Sequence, residues 1–220
     1  MLFDFNGVLV DDERWHWRAF CAVLEPRGLR LSWTDYTLRY LAFDDAAMCR
    51  ALLRDAGWPP ARRTASVVKR LVAAKRRRFR RLCVLHAVGI RPGTARLVRA
   101  LARRRPLAVV SGAARAEILS ALQRAGLRSC FSIIVAIENV RRGKPHPEGY
   151  RKALRRLGRA RGDRAIAVED SPGGIAAARA AGLRVLGVAT TYRPAALRRA
   201  GAFAVIPALR PGPRLSRLLA

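Results

Sequence analysis

Five side chains in this sequence are of the types that phosphoryl transfer requires: Asp4, Ser111, Lys144 and the acidic pair Glu169-Asp170. Asp4 follows the apolar run Met1-Leu-Phe3 and precedes the glycine turn at Gly7. Ser111-Gly112 follows Leu107 to Val110, and Glu169-Asp170 follows Ala165 to Val168. Lys144 stands in the loop sequence Arg142-Gly-Lys-Pro-His146. Taken singly, an Asp such as Asp4 is as readily a turn or helix cap. Taken together, Asp4, Glu169 and Asp170 would crowd three carboxylates, which tolerate one another only around a cation, and an all-oxygen donor set suits Mg²⁺. A hydroxyl at Ser111 and a fixed positive charge at Lys144 would neutralise the equatorial oxygens of a phosphoryl group in transfer, where most catalysis of this reaction lies. Asp4 would then attack phosphorus and carry an aspartyl-phosphate, with Ser111, Gly112 and Lys144 binding the substrate.

Such a meeting requires parallel strands in register, because their carboxyl ends lie on one edge of the sheet. The segments after residue 90 alternate accordingly. Helices are expected from Pro92 to about Arg104, from after Gly112 to Ala125, from about Pro147 to Leu157, from Ser171-Pro172 to Gly182, and near Ala195. Between them fall strands at Leu107 to Val110, Phe131 to Ala136, Ala165 to Val168, Val185 to Val188 and Ala202 to Ile206. This is the rhythm of an α/β fold, a Rossmann-like parallel sheet sandwiched by helices. Residues 11–85 break that rhythm directly after the first strand and read as helical, with breaks at Pro26-Arg-Gly28, around Leu41 to Asp45, and at Gly57-Trp-Pro-Pro60. The organisation expected is a core of residues 1–10 and 86–220 with a helical cap, 11–85, inserted after the first strand. Within the insert the run Lys75-Arg-Arg-Arg-Phe-Arg-Arg81 reads as the solvated side of a helix. The aromatic residues Trp15, Trp17, Trp33, Tyr36 and Tyr40 serve equally as pocket wall or as packing.

In order and spacing these motifs resemble those of the haloacid dehalogenase (HAD) superfamily, and the insert resembles the cap of its β-phosphoglucomutase and phosphoglycolate-phosphatase branch. The resemblance implies that Asp4 is the nucleophile. It also implies that Mg²⁺ is bound by Asp4, the backbone carbonyl of Asn6, and Asp170, with Glu169 assisting, while Ser111 and Lys144 grip the phosphate. The activity implied is Mg²⁺-dependent hydrolysis of a small phosphorylated metabolite. The departure is Asn6, where phosphatases and mutases of this family carry a second Asp that protonates the leaving oxygen. An amide does not transfer that proton, and losing a general acid/base costs roughly 10²–10⁴ in rate. The enzyme is then slow, or His16 in Glu13-Arg-Trp-His-Trp17 carries the proton, or the fold is an impaired HAD-like protein that binds an anionic partner such as nucleic acid. Transfer within a sugar phosphate ranks third, because the loop Tyr40-Leu-Ala-Phe-Asp-Asp45 has no arginine to hold a second phosphate. Metal-free dehalogenation conflicts with the retained Glu169-Asp170. A phosphonatase-type Schiff base conflicts with the first lysine being Lys69, late in the insert.

Composition adds a strong field. The 220 residues include 44 Lys+Arg against 15 Asp+Glu, a formal charge of +29. Such a surface attracts polyanions in a salt-dependent manner, yet its arginines are spread over nearly every helical segment, which reads as a solvated face. Cys21, Cys49, Cys83 and Cys130 form no CxxC pair, so reduced and mostly buried thiols are expected. No apolar run reaches the ~18–20 residues of a membrane span, and with the N-terminus opening into a strand the expected location is cytoplasmic.

Overall fold

A two-residue strand, β1 (Leu2–Phe3), begins the chain, and both its side chains are wholly buried. The turn after it is held by its own backbone. The N–H groups of Leu9 and Val10 donate to the Phe5 carbonyl at 2.9 and 3.0 Å, and Gly7 donates to the Val10 carbonyl at 2.6 Å. Gly7 sits at φ +72°, the left-handed region where a side chain is strained. The computed structural model describes residues 1–41, 43–158 and 165–219. It divides into two units, Met1–Asp11 with Gly89–Ala220, and Asp12–Val88.

The second unit is helical: α1 (Glu13–Leu24), the short α2 (Trp33–Asp35) running into a π-turn Tyr36–Tyr40, α3 (Asp45–Asp55) and α4 (Ala65–Leu85). Side chains start three of these. Ser32 accepts the Asp35 N–H at 2.9 Å, Asp44 accepts that of Ala47 at 2.7 Å, and Thr64 accepts that of Val67 at 3.3 Å. Phe20, Leu24, Met48, Leu53, Val68 and Leu71 lead the unit's core. The aromatic residues are spent largely on packing. The Trp17 indole donates to the Leu31 carbonyl at 3.0 Å and meets Trp33 edge-on, Trp33 stacks on Tyr36, and the Tyr40 hydroxyl donates to Asp55 at 2.8 Å.

On α4 the basic run keeps its expected wet face except at Lys75. Val68, Leu71, Lys75 and Phe79 follow helical spacing and are all buried, Lys75 to 2% exposure, while Arg76, Arg77, Arg78, Arg80 and Arg81 are exposed. The Lys75 ammonium pairs with Asp45 at 2.6 Å and lies over the Phe20 ring. Burial works against ionised Asp45, but the Lys75 charge wins and holds its carboxyl below the usual value. The cysteines are free; Cys49 alone of the four is buried, and the others are half-exposed where burial was expected.

The first unit continues with α5 (Pro92–Ala102), β2 (Ala108–Val110), α6 (Arg115–Arg124), β3 (Ile133–Val135), α7 (Glu148–Arg156), β4 (Ile166–Glu169), α8 (Pro172–Ala180), β5 (Arg184–Val188), α9 (Pro194–Arg199), β6 (Ala204–Ile206) and α10 (Pro213–Leu219). Six parallel strands run in the order β3-β2-β1-β4-β5-β6. The chain winds outward from β1 to β3, crosses back, and winds outward again from β4. With right-handed crossovers this places α5 and α6 on one face and α7 to α9 on the other. Strand alternation divides the core the same way. Leu2, Ala108, Val110, Ala167 and Val185 pack with Leu154, Ile175 and Leu197 of α7 to α9, while Phe3 turns to the opposite face and meets Phe131 edge-on at 6.0 Å. The helix α10 was not expected from the sequence; it follows the buried Leu209, whose carbonyl accepts the Thr94 hydroxyl at 2.8 Å. Among the described residues no helix is long and apolar enough to cross a membrane.

Candidate active site

The strand order reverses at β1 and β4, and the crevice at such a reversal, outside the carboxyl ends of the strands, is where open α/β sheets bind ligands. Asp4 is the residue after β1 and is tied to β4 by its N–H, which donates to the Val168 carbonyl at 3.0 Å. Glu169 ends β4 and Asp170 follows it. Asp4, Glu169 and Asp170 each place a carboxylate oxygen within 4.8 Å of the other two, at exposures of 8%, 0% and 5%. Packed so close, these groups repel unless positive charge is supplied.

Lys144 supplies part of it. Its ammonium lies 2.9 Å from Asp4 Oδ1 and 2.6 Å from Glu169 Oε1. Burial alone would lower the lysine's pKa; Asp4 and Glu169 outweigh it and hold the group above its usual value. Burial pushes Glu169 up to about 7, against the Lys144 charge and with Asp4 adding to the push. The Tyr150 hydroxyl, from α7, donates to Glu169 Oε1 at 2.5 Å, and Ser171 Oγ lies 3.4 Å from Oε2. Asp4 Oδ1 also accepts the Phe5 N–H at 2.7 Å, which fixes the carboxylate's orientation.

Two glycines make room for the acids. A Cβ on Gly7 would stand 1.9 Å from Asp170 Oδ2, and one on Gly174, in the first turn of α8, 2.0 Å from Glu169 Oε2. Ser171 caps that turn by accepting the Gly174 N–H at 3.1 Å. The Gly7 carbonyl in turn accepts the Thr190 hydroxyl from beyond β5.

Ser111 lies just past β2; its N–H donates to the Val135 carbonyl at 2.9 Å and its Oγ accepts the Ala113 N–H at 3.1 Å. Ser111, Gly112 and Lys144 line one cleft. Asn6 lies in the Gly7 turn, half-buried and bridged to Val10. His16 lies on α1 of the helical unit. There its ring stacks on Phe79 at 3.9 Å, its Nδ1 is 2.6 Å from the Lys75 ammonium, and its Nε2 is 3.7 Å from Asp12. An ammonium only donates, so Nδ1 accepts and a neutral His16 carries its proton on Nε2.

A haloacid dehalogenase-like hydrolase family model matches residues 1–182. The chain belongs to that family. Protein CbbY of Rhodobacter capsulatus is 32% identical over 199 residues, 87% of this chain and 86% of that protein. Validoxylamine A 7'-phosphate phosphatase of Streptomyces hygroscopicus subsp. limoneus is 30% identical over 203 residues, 90% and 89% of the two chains. Among solved structures, that of CbbY from Rhodobacter sphaeroides in complex with phosphate is 30% identical. It superposes with a TM-score of 0.77 over 94% of this chain and 93% of that one. The chain is thus a HAD-like hydrolase of the phosphoglucomutase and phosphatase branch, and relatives named as phosphatases act on phosphoric esters.

Sequence reasoning missed several parts of this HAD-like site. Tyr150 stands six residues after Lys144 on the inward side of α7, and nothing in the pattern separates it from a core aromatic. Gly174 gave a faint signal, as a helix-interior glycine in Pro172-Gly-Gly174 directly after two acids. Thr190 gave none.

Proposed function

We propose that this HAD-like hydrolase is a Mg²⁺-dependent phosphomonoesterase acting on a small phosphorylated metabolite through an aspartyl-phosphate at Asp4. The observation that carries the reading is the buried set of Asp4, Glu169 and Asp170 at the reversal point of the sheet, with Lys144 bridging Asp4 and Glu169. Its fit to a small divalent cation rests on chemistry: three buried carboxylates each bring an oxygen within reach of one ion, and all the donors are oxygen. Asp4, the Asn6 carbonyl and Asp170 would hold the ion with Glu169 behind them, and when bound it would supply charge neutralisation at a phosphate oxygen.

Asp4 Oδ1 is held by the Phe5 amide and Lys144, so attack on phosphorus falls to Oδ2, displacing the alcohol. Lys144 follows the charge from carboxylate to phosphate, and the Ser111 hydroxyl donates to a second phosphate oxygen. Water then cleaves the acyl phosphate and returns Asp4 as a carboxylate. Asn6 leaves both proton transfers without the acid/base found in related phosphatases, so turnover is slow. The helical unit is assigned the part of a substrate-selecting cap by its place in the chain, directly after the nucleophile. Relatives named for phosphorylated small molecules support the substrate class.

The test is phosphate release from p-nitrophenyl phosphate and a sugar-phosphate panel, with Mg²⁺ and with EDTA. Release should require the metal and vanish in Asp4→Asn. Asn6→Asp should raise the rate by about 10²-fold or more. Absence of metal-dependent release from every substrate would overturn the reading.

A further inference from the structure

The helix α4 carries charge that the helical unit itself does not use. Lys69, Arg70, Arg76, Arg77, Arg80 and Arg81 are all exposed along it. At 3.6 residues per turn they fall into two rows, Lys69-Arg76-Arg80 and Arg70-Arg77-Arg81, each spaced i, i+7, i+11. The rows run side by side for about 18 Å, on the face opposite the buried stripe of Val68, Leu71, Lys75 and Phe79. No acidic residue stands anywhere in the 21 residues of α4. Asp45 of α3 holds Lys75 at 2.6 Å and Arg76 at 3.4 Å, and these are the only ion pairs of α4 among the described residues.

That arrangement is costly for a face whose only task is to stay wet. Like charges at i, i+4 repel, and both Arg76–Arg80 and Arg77–Arg81 are such pairs. On α7, which is also basic, the cations are partly spent on the fold: Lys152 pairs with Glu148 at 2.7 Å, and Arg151 donates to the Ala180 carbonyl at 3.0 Å. A regular array of unspent guanidiniums matches the phosphate backbone of a nucleic-acid duplex, whose oxygens accept guanidinium N–H groups in pairs. Along the length of the rows a duplex presents about ten negative charges, at one per ~1.7 Å of axis. An anionic membrane fits less well. A basic helix lies in a bilayer by inserting its apolar face. The apolar face of α4 is buried in the unit's own core, and its exposed large apolar residues are Val84 and Leu85 at the carboxyl end.

We infer that the exposed face of α4 is a docking surface for duplex nucleic acid, held through its phosphates and without regard to sequence. Contacts to phosphate fix position and carry no sequence information, and α4 contains no Asn or Gln with which to read adenine. This goes beyond the hydrolase reading and does not depend on it. The competing account is that the +29 field of the whole chain draws any polyanion. On that account it does not matter where charge is removed, whereas a docking face loses binding only when its own rows are cut.

The experiment follows the fluorescence anisotropy of a labelled DNA duplex of about 20 base pairs with the full chain, from about 50 to 200 mM salt. Two triple variants remove equal charge from exposed positions: Arg77→Gln, Arg80→Gln and Arg81→Gln on α4, and Arg96→Gln, Arg103→Gln and Arg104→Gln on and after α5 in the other unit. Wild type should bind with an affinity that falls steeply with salt. The α4 triple should weaken binding about tenfold or more at ~0.1 M salt and should flatten the slope of log K against log salt by about 2–3, near 0.9 per lost phosphate contact. The α5 triple should keep the wild-type slope, and the α4 positions changed to Lys, which retain their charge, should keep it too. Both Gln triples should melt as wild type does. Equal falls in the two triples would reduce the effect to net charge and overturn the docking face. So would the absence of duplex binding by wild type at ~0.1 M salt, or α4-dependent binding to phosphatidylserine vesicles with none to the duplex.

Discussion

Glu169 shows how a single carboxylate is kept usable in a closed site. It has no exposed surface, and each of its oxygens has a donor: Lys144 and Tyr150 at Oε1, Ser171 near Oε2. Burial first, then the charges of Glu169 and Asp4, raise the Tyr150 phenol well above its ordinary value, so it remains a donor throughout the working pH range. Tyr150→Phe removes that donor and leaves its packing in place. A buried carboxylate that loses one neutral hydrogen bond costs about 1–3 kcal/mol, and groups that orient metal-binding carboxylates typically matter about 10–100-fold in metal affinity or activity. We therefore expect Tyr150→Phe to melt a few degrees lower and to need about tenfold more Mg²⁺ for half-maximal phosphatase activity. Unaltered melting and an unaltered Mg²⁺ titration would show that the hydroxyl does nothing for Glu169.

At the scale of elements, what was legible in the sequence is what a parallel sheet enforces. A strand that must be buried on both faces is written in apolar residues, so the first charged or hydroxyl residue after it marks its carboxyl end. Asp4, Ser111 and Glu169 could be placed on one edge without knowing a single contact. Contacts made across the sheet leave no such trace. Lys75 was masked by its five arginine neighbours, although its spacing from Leu71 and Phe79 puts it on the buried stripe of α4. The close approach of α8 to β4 depends on a missing Cβ, which the letter G does not reveal. Gly173 and Gly174 make that last point testable, being adjacent on one helix. A Cβ on Gly173 meets nothing within 4 Å, whereas one on Gly174 overlaps the Glu169 carboxylate. Gly173→Ala should be neutral or stabilising by up to ~1 kcal/mol, from helix propensity. Gly174→Ala should destabilise by about 1–3 kcal/mol through overpacking and should displace Glu169. Thermal melts of the two variants decide it, and equal melting temperatures would mean that α8 does not press on Glu169.

Across the whole molecule, the buried acids set how stability should follow pH. Glu169 is held up to about 7 in the folded chain, above the ordinary 4.5 it regains on unfolding. Between those values the folded state binds more protons than the unfolded one, so stability falls as pH rises through the window. Glu13, raised chiefly by burial, acts in the same direction. Asp45 and Glu148 are lowered; their contributions are complete above the ordinary carboxylate range and are lost only as pH falls below it, so they leave this window flat. The large background field changes little there, because it comes from 44 Lys+Arg that stay charged and the sequence holds three histidines. At fixed ionic strength the metal-free protein should therefore lose on the order of 5 °C of melting temperature between about pH 5 and pH 8. On the proposed function Mg²⁺ would bind the ionised carboxylates and compete with their protons, so its stabilising shift should be small at the acid end and largest at the alkaline end. Glu169→Gln should flatten the metal-free slope. A melting temperature that climbs with pH in EDTA, or a Mg²⁺ shift that is the same at both ends, would contradict a protonated Glu169 in the metal-free site and a carboxylate-bound ion in the loaded one.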